Sequence, residues 1–170
     1  MHVRELSKTL LAAALCCLAG AVQAQTHTEE TTFQVRITIQ GTCLIASASD
    51  IDFGTHATAS AAVFNQTGTI QVQCTKDLPF TLGLDGGTSG MPTARIMTDA
   101  VSGTTIPYTL SHDAGGASNW GNDSPSWYSG VGAGIGPEYS IPLTVYAKTT
   151  LVGNEPAGNY LDTITATVFY

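Results

Sequence analysis

The chain has 170 residues, with Lys+Arg 6 against Asp+Glu 13, a formal net charge of -7, 43% hydrophobic residues and 11% charged residues. A chain of this length is one ordinary domain. Six cations cannot build the basic patch with which proteins bind nucleic acid or an anionic membrane surface. The apolar content at low charge density also excludes intrinsic disorder, because the chain has enough hydrophobic surface to bury.

The first residues have the pattern of a secretory signal peptide. A short cationic start is followed by an apolar run over residues 10–19 and then by small residues. The run is too short to span a bilayer, and the small residues are typical of a cleavage site. We therefore expect residues 1–24 to be removed between Ala24 and Gln25, which predicts an exported chain with no stable membrane insertion.

Two cysteines remain after this cleavage, Cys43 and Cys74. An even number of cysteines in an oxidising compartment indicates one structural disulfide. Closing a loop of about 30 residues stabilises a fold by roughly 3–4 kcal/mol in the chain-entropy model. The histidines His27, His56 and His112 are too scattered to add up to a metal site, so the sequence predicts neither a metal nor a cofactor.

The mature sequence predicts an all-β fold. Runs with alternating apolar and polar residues are separated by Gly, Pro, Asn and Asp, and no stretch has a sustained helical period. The predicted strands cover residues 32–40, 43–53, 68–74, 79–84, 104–111, 140–147 and 159–170, with a weaker candidate at 94–97. Ile70, Val72 and Cys74 share one face, as do Phe80, Leu82 and Leu84. Several short strands of this kind are typical of an antiparallel, immunoglobulin-like sandwich.

The first predicted strand is the most clearly amphipathic one. It follows a polar leader at residues 25–31 and presents four large apolar side chains on one face: Phe33, Val35, Ile37 and Ile39. The residues between them, Gln34, Arg36, Thr38 and Gln40, form a polar opposite face.

The last predicted strand shows a similar alternation. Its apolar face is formed by Ile164, Ala166, Val168 and Tyr170, and a ladder of threonines lies on the other face. The printed sequence ends inside this strand without a returning strand. One edge of the sandwich is therefore expected to lack a partner, an arrangement that soluble proteins normally avoid.

Two arrangements of residues 32–40 are compatible with these patterns. The strand can fold back and close the sandwich of its own molecule, or it can fill the open groove of a neighbouring molecule by strand addition. Only Gly41 and Thr42 separate the strand from Cys43, which the disulfide ties to the domain. So short a connection leaves little room to cross to the far edge, but the residues alone leave both arrangements open.

The chain resembles the spore coat U domain family, the archaic (Csu-type) chaperone-usher pilins, along essentially its whole mature length. The matching pieces, in order, are the N-terminal strand leading to Gly41-Thr42-Cys43 and the segments at 51–54, 70–74, 82–87, 106–113, 119–123, 143–146 and 156–168. Each piece is short, and their order and spacing carry the match.

This resemblance implies an incomplete immunoglobulin-like antiparallel β-sandwich that is completed by donor-strand complementation. Residues 25–40 would be an N-terminal extension with the donor strand, residues 41–170 the pilin domain, and the C-terminal strand one side of the acceptor groove. The implied partners are a periplasmic pilus chaperone, an outer-membrane usher and neighbouring pilin subunits. The implied role is a shaft or minor linking subunit of a surface pilus (fimbrium) for adhesion and biofilm formation.

Enzymatic activity is not expected. Ser111, His112 and Asp113 are the residue types of a hydrolase triad, but consecutive residues of a strand point to opposite faces and cannot form a relay. The glycine-rich segment 130–136 lacks the spacing of a phosphate-binding loop, so we expect a flexible loop there.

Two rival functions remain at the level of sequence. One is a self-contained secreted coat protein, in which residues 32–40 close their own sandwich. The other is a carbohydrate-binding sandwich, in which Trp120, Trp127 and Tyr128 form an exposed aromatic patch in a Gly/Ser/Asn-rich segment. The commoner role for such aromatic residues is packing on the end of the sandwich.

Overall fold

A computed structural model of the protein describes residues 26–57 and 61–170. The predicted signal peptide, with its cleavage between Ala24 and Gln25, lies outside the described residues. Residues 26–37 belong to a separate unit of the chain, contain no helix or strand, and are all exposed. Residues 38–170 belong to the second unit, which contains the strands. Across both described stretches, no helix has the length and apolar character needed to cross a membrane.

The fold is almost entirely β, which confirms the predicted fold class. Its described part has nine strands: β1 Cys43–Ala48, β2 Ala62–Cys74, β3 Pro79–Leu84, β4 Arg95–Asp99, β5 Thr105–Ser111, β6 Tyr128–Val131, β7 Ile141–Leu151, β8 Tyr160–Leu161 and β9 Ala166–Phe169. Two single-turn 3-10 helices, Gly87–Ser89 and Pro137–Tyr139, lie in the connections. β3 has the predicted bounds, and β5 differs from its predicted bounds by one residue.

The strands form two antiparallel sheets. One has six strands in the order β1-β2-β7-β5-β4-β8, and the other has three in the order β6-β3-β9. The core consists of inward-facing side chains of both sheets, including the two predicted rows: Ile70, Val72, Cys74, Phe80, Leu82, Leu84, Tyr108, Leu110, Trp120, Leu143, Val145 and Ala147. The period of two residues therefore identified the inner faces of β2 and β3 correctly.

The predicted disulfide joins Cys43 to Cys74. The two cysteines lie directly opposite each other in the pairing of β1 with β2, and Cys74 is fully buried. Because β1 is the outermost strand of its sheet, the disulfide fixes the start of an edge strand to the interior of the domain.

Residues 32–40, predicted as a strand, contain no strand in the single chain. A strand is stable only when its backbone groups pair with another strand. Within the described residues no such pairing involves this segment. The segment therefore has the amphipathic alternation of a strand, but no strand in the described part of the same chain pairs with it.

The prediction of one continuous strand over residues 159–170 is wrong. β8 pairs with β4 in the six-stranded sheet, whereas β9 pairs with β3 in the three-stranded sheet. The chain leaves one sheet and enters the other through residues 162–165, which we call the crossover. The alternation continues through the crossover, because every second residue from Tyr160 to Val168 is half-buried, both before and after the chain changes sheets.

The prediction of a flexible loop at residues 130–136 is also wrong at its start. β6 contains Gly130 and pairs with β3, where Gly130 lies opposite Phe80. A Cβ at Gly130 would lie 2.8 Å from Cζ of Phe80. This glycine therefore allows β6 to lie against an aromatic side chain of the core, and its role is close packing rather than flexibility.

The remaining differences concern strand ends. β1 ends at Ala48 rather than residue 53, β2 begins at Ala62 rather than residue 68, and β7 extends to Leu151 rather than residue 147. β2 and β7 pair along their whole common length, from Ala62 opposite Leu151 to Val72 opposite Ile141. The pairing of the two strands thus extends each of them beyond the segment that apolar alternation indicated.

Candidate functional site

A groove lies between the two sheets of the β domain. The edge strands β1 and β9 contact each other. Where β1 ends and β9 begins, a cavity of about 340 Å³ opens between residues 48–53 on one wall and residues 160–166 on the other. Its floor is formed by core side chains of both sheets: Ile70, Leu84, Met97, Tyr108, Leu110, Val145 and Ala147. The groove therefore gives access to the hydrophobic core.

Both strands that border this groove have one unpaired edge. Within the described residues, β1 pairs only with β2, and β9 pairs only with β3. The backbone groups on the second edge of each strand therefore belong to no ladder. An exposed edge of this kind is a template for the addition of another strand.

The structure brings only some of the predicted C-terminal groove residues to the cavity. Ile164 and Ala166 line it. Val168 is half-buried and packs on the core further along β9. Tyr170 lies beyond the end of β9 and is 64% exposed, so its side chain belongs to the surface. Ile164, Ala166 and Val168 are thus half-buried and pack on the core, and the first two are among the residues that line the cavity.

Asp162, the first residue of the crossover, fixes the crossover to the rest of the domain. Its carboxylate accepts hydrogen bonds from Tyr108 Oη at 2.7 Å, Thr88 Oγ1 at 2.7 Å and the backbone N–H of Thr88 at 2.8 Å. Burial raises the pKa of Asp162, but these hydrogen bonds and one from the N–H of Thr163 outweigh it, so the pKa lies below its usual value. The ionised carboxylate is therefore the form that ties the groove wall to β5 and to the turn after β3.

Asp85 holds the other end of the crossover. Its Oδ1 accepts the N–H of Thr165 at 3.0 Å and the N–H of Gly87 at 3.1 Å, while its own N–H donates to the carbonyl of Thr165 at 3.1 Å. Burial raises the pKa of Asp85, but the hydrogen bonds from Thr165 and Gly87 outweigh it and the pKa is lowered. Asp85 and Asp162 together form what we call the carboxylate clamp of the groove wall.

A fully buried arginine lies beneath the same wall, and no sequence pattern pointed to it. The guanidinium of Arg95 donates to four backbone carbonyls, those of Leu84, Asp85, Pro92 and Trp120, at 2.7–3.0 Å. Burial lowers the pKa of Arg95, yet an arginine in a protein stays charged.

The apolar face of the N-terminal extension is exposed. Phe33, Val35, Ile37 and Ile39 are 85%, 88%, 84% and 78% exposed. Isolated apolar residues are common on protein surfaces, but a row of four large ones marks an interaction site. These four side chains are therefore accessible, as are the polar residues between them, and their common face in a strand stays a prediction.

The aromatic residues of the carbohydrate-binding alternative are buried or half-buried. Trp120 is 1% exposed, and its indole N–H donates to the carbonyl of Leu82 at 2.9 Å. The rings of His112 and Trp120 stack at 4.4 Å, and Tyr128 is half-buried with its ring 6.3 Å from that of Phe80. The ring of Trp127, which is also half-buried, lies 6.0 Å from that of Phe169. Packing on the sandwich is therefore the role of these residues, and the basis of the carbohydrate-binding alternative is removed for Trp120.

The triad residue types make separate backbone contacts. The buried Ser111 donates its hydroxyl to the carbonyl of Asp113 at 2.9 Å, and Nε2 of His112 lies 2.8 Å from the carbonyl oxygen of Ser126. The carboxylate of Asp113 accepts the N–H groups of the turn that follows. These contacts are those of a structural turn rather than of a proton relay.

Removing the charge of Asp162 is expected to destabilise the domain at neutral pH. Because its folded-state pKa is lowered, its contribution is complete above the usual aspartate value of about 4 and is lost as the pH falls further. Asp162→Asn should cost about 1–2 kcal/mol at pH 7, a value reduced for partial solvent exposure, and Thr88→Val should cost less. Urea unfolding at pH 7 and at pH 3 measures both differences.

The control for this experiment is Asp77→Asn, which changes an exposed turn carboxylate. It should shift the unfolding free energy by no more than about 0.5 kcal/mol. The difference between the parent protein and Asp162→Asn should shrink at pH 3. A difference that stays the same from pH 7 to pH 3 would show that the charge of Asp162 is not what stabilises the crossover.

The chain matches a known protein family. Residues 29–167 match the family model of the Spore Coat Protein U domain. Protein U of Myxococcus xanthus is 29% identical over 180 residues, which cover 96% of this chain and 98% of that protein. The resemblance identified from the sequence motifs is therefore confirmed.

A solved structure has a similar fold. It is the crystal structure of the CsuC-CsuE chaperone-tip adhesion subunit pre-assembly complex from archaic chaperone-usher Csu pili of Acinetobacter baumannii. The TM-score is 0.54 at 23% identity, and the match covers 78% of this chain. The chain spans 41% of the length of that solved chain.

Proposed function

Because the chain belongs to the Spore Coat Protein U domain family, we propose that it is a structural subunit of an archaic chaperone-usher pilus. In this proposal the subunits assemble by donor-strand exchange. Residues 25–40 of one copy carry the donor strand, and the groove between β1 and β9 of the next copy accepts it. The fibre serves surface adhesion and biofilm formation, and the role of the protein is structural rather than enzymatic.

The observation that carries the proposal is the match between two accessible features of one chain. The groove gives access to the core and has unpaired strand edges on both sides. The extension has an exposed row of four apolar side chains at the spacing of a strand. Inserting such a strand satisfies the backbone edges and buries the apolar row at the same time.

The energy available from this match is large. Burying four side chains the size of those at 33, 35, 37 and 39 contributes roughly 1.5–3 kcal/mol each, and each ladder hydrogen bond adds about 0.5–1.5 kcal/mol net. The ordering of the extension reduces this gain by about 1–2 kcal/mol for each fixed residue. The apolar row is therefore required for the joint, since ladder bonds alone barely offset the ordering.

The cavity is too small to hold all four side chains of the apolar row. A dry cavity of about 150 Å³ holds one benzene molecule, so about 340 Å³ accommodates roughly two large side chains. A row of four therefore requires β1 and β9 to move apart along the rest of the groove. This agrees with an assembly in which another strand occupies the groove before the donor strand arrives.

That earlier occupant is a periplasmic chaperone in our proposal. A chaperone strand would cover the unpaired edges and the open core until an outer-membrane usher brings the next subunit. The location of the protein would thus be the periplasm during assembly and the surface pilus afterwards. The solved relative, which is a complex of a chaperone with a pilus subunit, supports this order of events.

Removing the extension tests the proposed function. A mature chain without residues 25–40 should still bind its chaperone but should not extend a fibre as a donor. A synthetic peptide of residues 31–40 should bind the shortened domain and raise its melting temperature, because the peptide supplies the missing strand. A peptide with Val35→Asp and Ile37→Asp is the matched control and should leave the melting temperature unchanged.

A self-contained coat protein predicts the opposite. Its own extension would complete its own sandwich, so the shortened chain would unfold while the intact mature chain would remain a monomer at every concentration. Analytical ultracentrifugation of the intact chain, together with the peptide experiment, separates the two functions. A stable monomer combined with unfolding on deletion would exclude donor-strand exchange between molecules.

A further inference from the structure

The polar face of the extension contains one cation, and this cation has a counterpart at the groove. Arg36 lies on the opposite face from the apolar row, and its guanidinium donates to Oε1 of Gln34 at 3.2 Å. Both side chains are exposed. When the apolar row enters a groove, Arg36 therefore remains at the outer surface of the new strand, where it can meet the rims of the groove.

The first wall of the groove presents carboxylates on its outer side. Ile51 and Phe53 are half-buried and pack on the core, so the residues beside them, Asp50 and Asp52, point outward and are exposed. Oδ1 of Asp52 accepts the N–H of Gly54 at 2.7 Å and is engaged in a local turn. Asp50 lines the cavity at its rim. Asp50 is therefore the carboxylate best placed to meet a cation on an added strand.

The opposite wall offers nothing comparable. Its outward residues beside the cavity are Thr163 and Thr165, which are exposed and uncharged. Asp162 on this wall accepts hydrogen bonds from Tyr108 and Thr88 and is committed to the crossover. Charge complementarity thus favours one side of the groove for the cation of an incoming strand.

We propose that Arg36 of one copy of this chain pairs with Asp50 of the next copy, and that this ion pair sets the register of the donor strand. The inference rests on the proposed function, since it assumes that the extension of a second copy fills the groove. Asp50 follows the end of β1 and lies in no strand, so the long side chain of Arg36 would reach its carboxylate at the rim of the cavity from the outer face of the added strand.

A register signal of this kind is needed because the apolar row is repetitive. A slip by one residue turns the apolar row outward and is excluded by burial alone. A slip by two residues keeps every apolar side chain on the inner face and moves Arg36 by about 7 Å along the groove. Burial of the apolar row opposes such a slip only at the ends of the row, where an apolar side chain leaves its place in the groove. An ion pair at one position is lost in the slipped register and therefore distinguishes the two registers directly.

Charge reversal in the full-length mature chain tests the ion pair. Arg36→Glu and Asp50→Lys should each slow fibre growth about fivefold, because each places like charges side by side. The double variant Arg36→Glu/Asp50→Lys should restore growth to within about twofold of the unmodified chain. Glu138→Lys, which reverses an exposed carboxylate that does not line the cavity, is the matched control and should leave growth unchanged.

A chemical cross-link reads the register itself. Arg36→Lys keeps the charge and supplies an amine, so a zero-length carbodiimide should join position 36 of one copy to Asp50 of another in assembled fibres. Mass spectrometry then identifies the partner carboxylate. A cross-link to a different carboxylate, or single reversals that the double variant does not rescue, would overturn the ion pair.

These outcomes are separate from the test of the proposed function. If reversal variants grow fibres at the rate of the unmodified chain, the ion pair is excluded while strand exchange stands. If the unmodified chain forms no fibre and remains a monomer, the proposed function fails before the register is in question.

Discussion

A chain with Ile37→Asp is expected to form no fibres, although its own domain remains folded. Ile37 is 84% exposed in the single chain, so the substitution should change the unfolding free energy by no more than about 0.5 kcal/mol. In the groove of a neighbour, the same position would bury a carboxylate without a partner and would lose the burial of an isoleucine. These two costs together remove several kcal/mol from the joint.

The matched control is Thr38→Asp, which adds the same charge on the polar face of the same segment. It should permit fibres, because that face remains in water after strand insertion. Electron microscopy and the sedimentation of purified protein measure the difference. Fibres of normal length from Ile37→Asp would contradict the account, as would equal losses from the two variants, since only the apolar face is expected to enter the groove.

The second large effect is expected at Arg95. Arg95→Met keeps an unbranched side chain of similar length but leaves the carbonyls of Leu84, Asp85, Pro92 and Trp120 without their donor. Leaving buried polar groups unpaired costs about 1–3 kcal/mol each, and carbonyls lie at the lower end of this range. The free energy of unfolding should therefore fall by about 3 kcal/mol or more.

Lys76→Met serves as the control, because it removes an exposed cation in a turn and should cost no more than about 0.5 kcal/mol. Arg95→Lys should recover only part of the loss, since a compact ammonium cannot reach four carbonyls as a planar guanidinium does. Urea unfolding measures all three variants. A loss below about 1 kcal/mol in Arg95→Met would show that the buried arginine does not hold this wall of the groove.

The inner faces of the long strands could be predicted because one physical rule governs them. Period-two alternation placed Ile70 and Val72 inside, and likewise Leu82 and Leu84, because β3 and the second half of β2 pack against the core. The rule gives no information on which sheet a strand joins. The C-terminal run therefore appeared continuous, although the chain changes sheets between β8 and β9.

The hydrogen-bond network of the groove wall could not be predicted for a different reason. Asp85 and Asp162 are 77 positions apart in the sequence, and each joins the crossover to a segment that is distant along the chain. Arg95 gave no sequence signal, because a buried cation surrounded by carbonyls has no local pattern. The apolar row of the extension could be found from the sequence, because the alternation of apolar and polar residues is the same whether the segment is exposed or buried. This alternation does not indicate which molecule provides the groove.

The central claim is that residues 33–39 of one copy complete the sandwich of the next, and a cryo-electron microscopy map of assembled fibres tests it most directly. The account predicts density for this segment between β1 and β9 of the neighbouring copy, paired with the free edge of β9. The side chains at 33, 35, 37 and 39 should point towards Ile164 and Ala166. A map in which each segment lies in the groove of its own molecule would contradict the account.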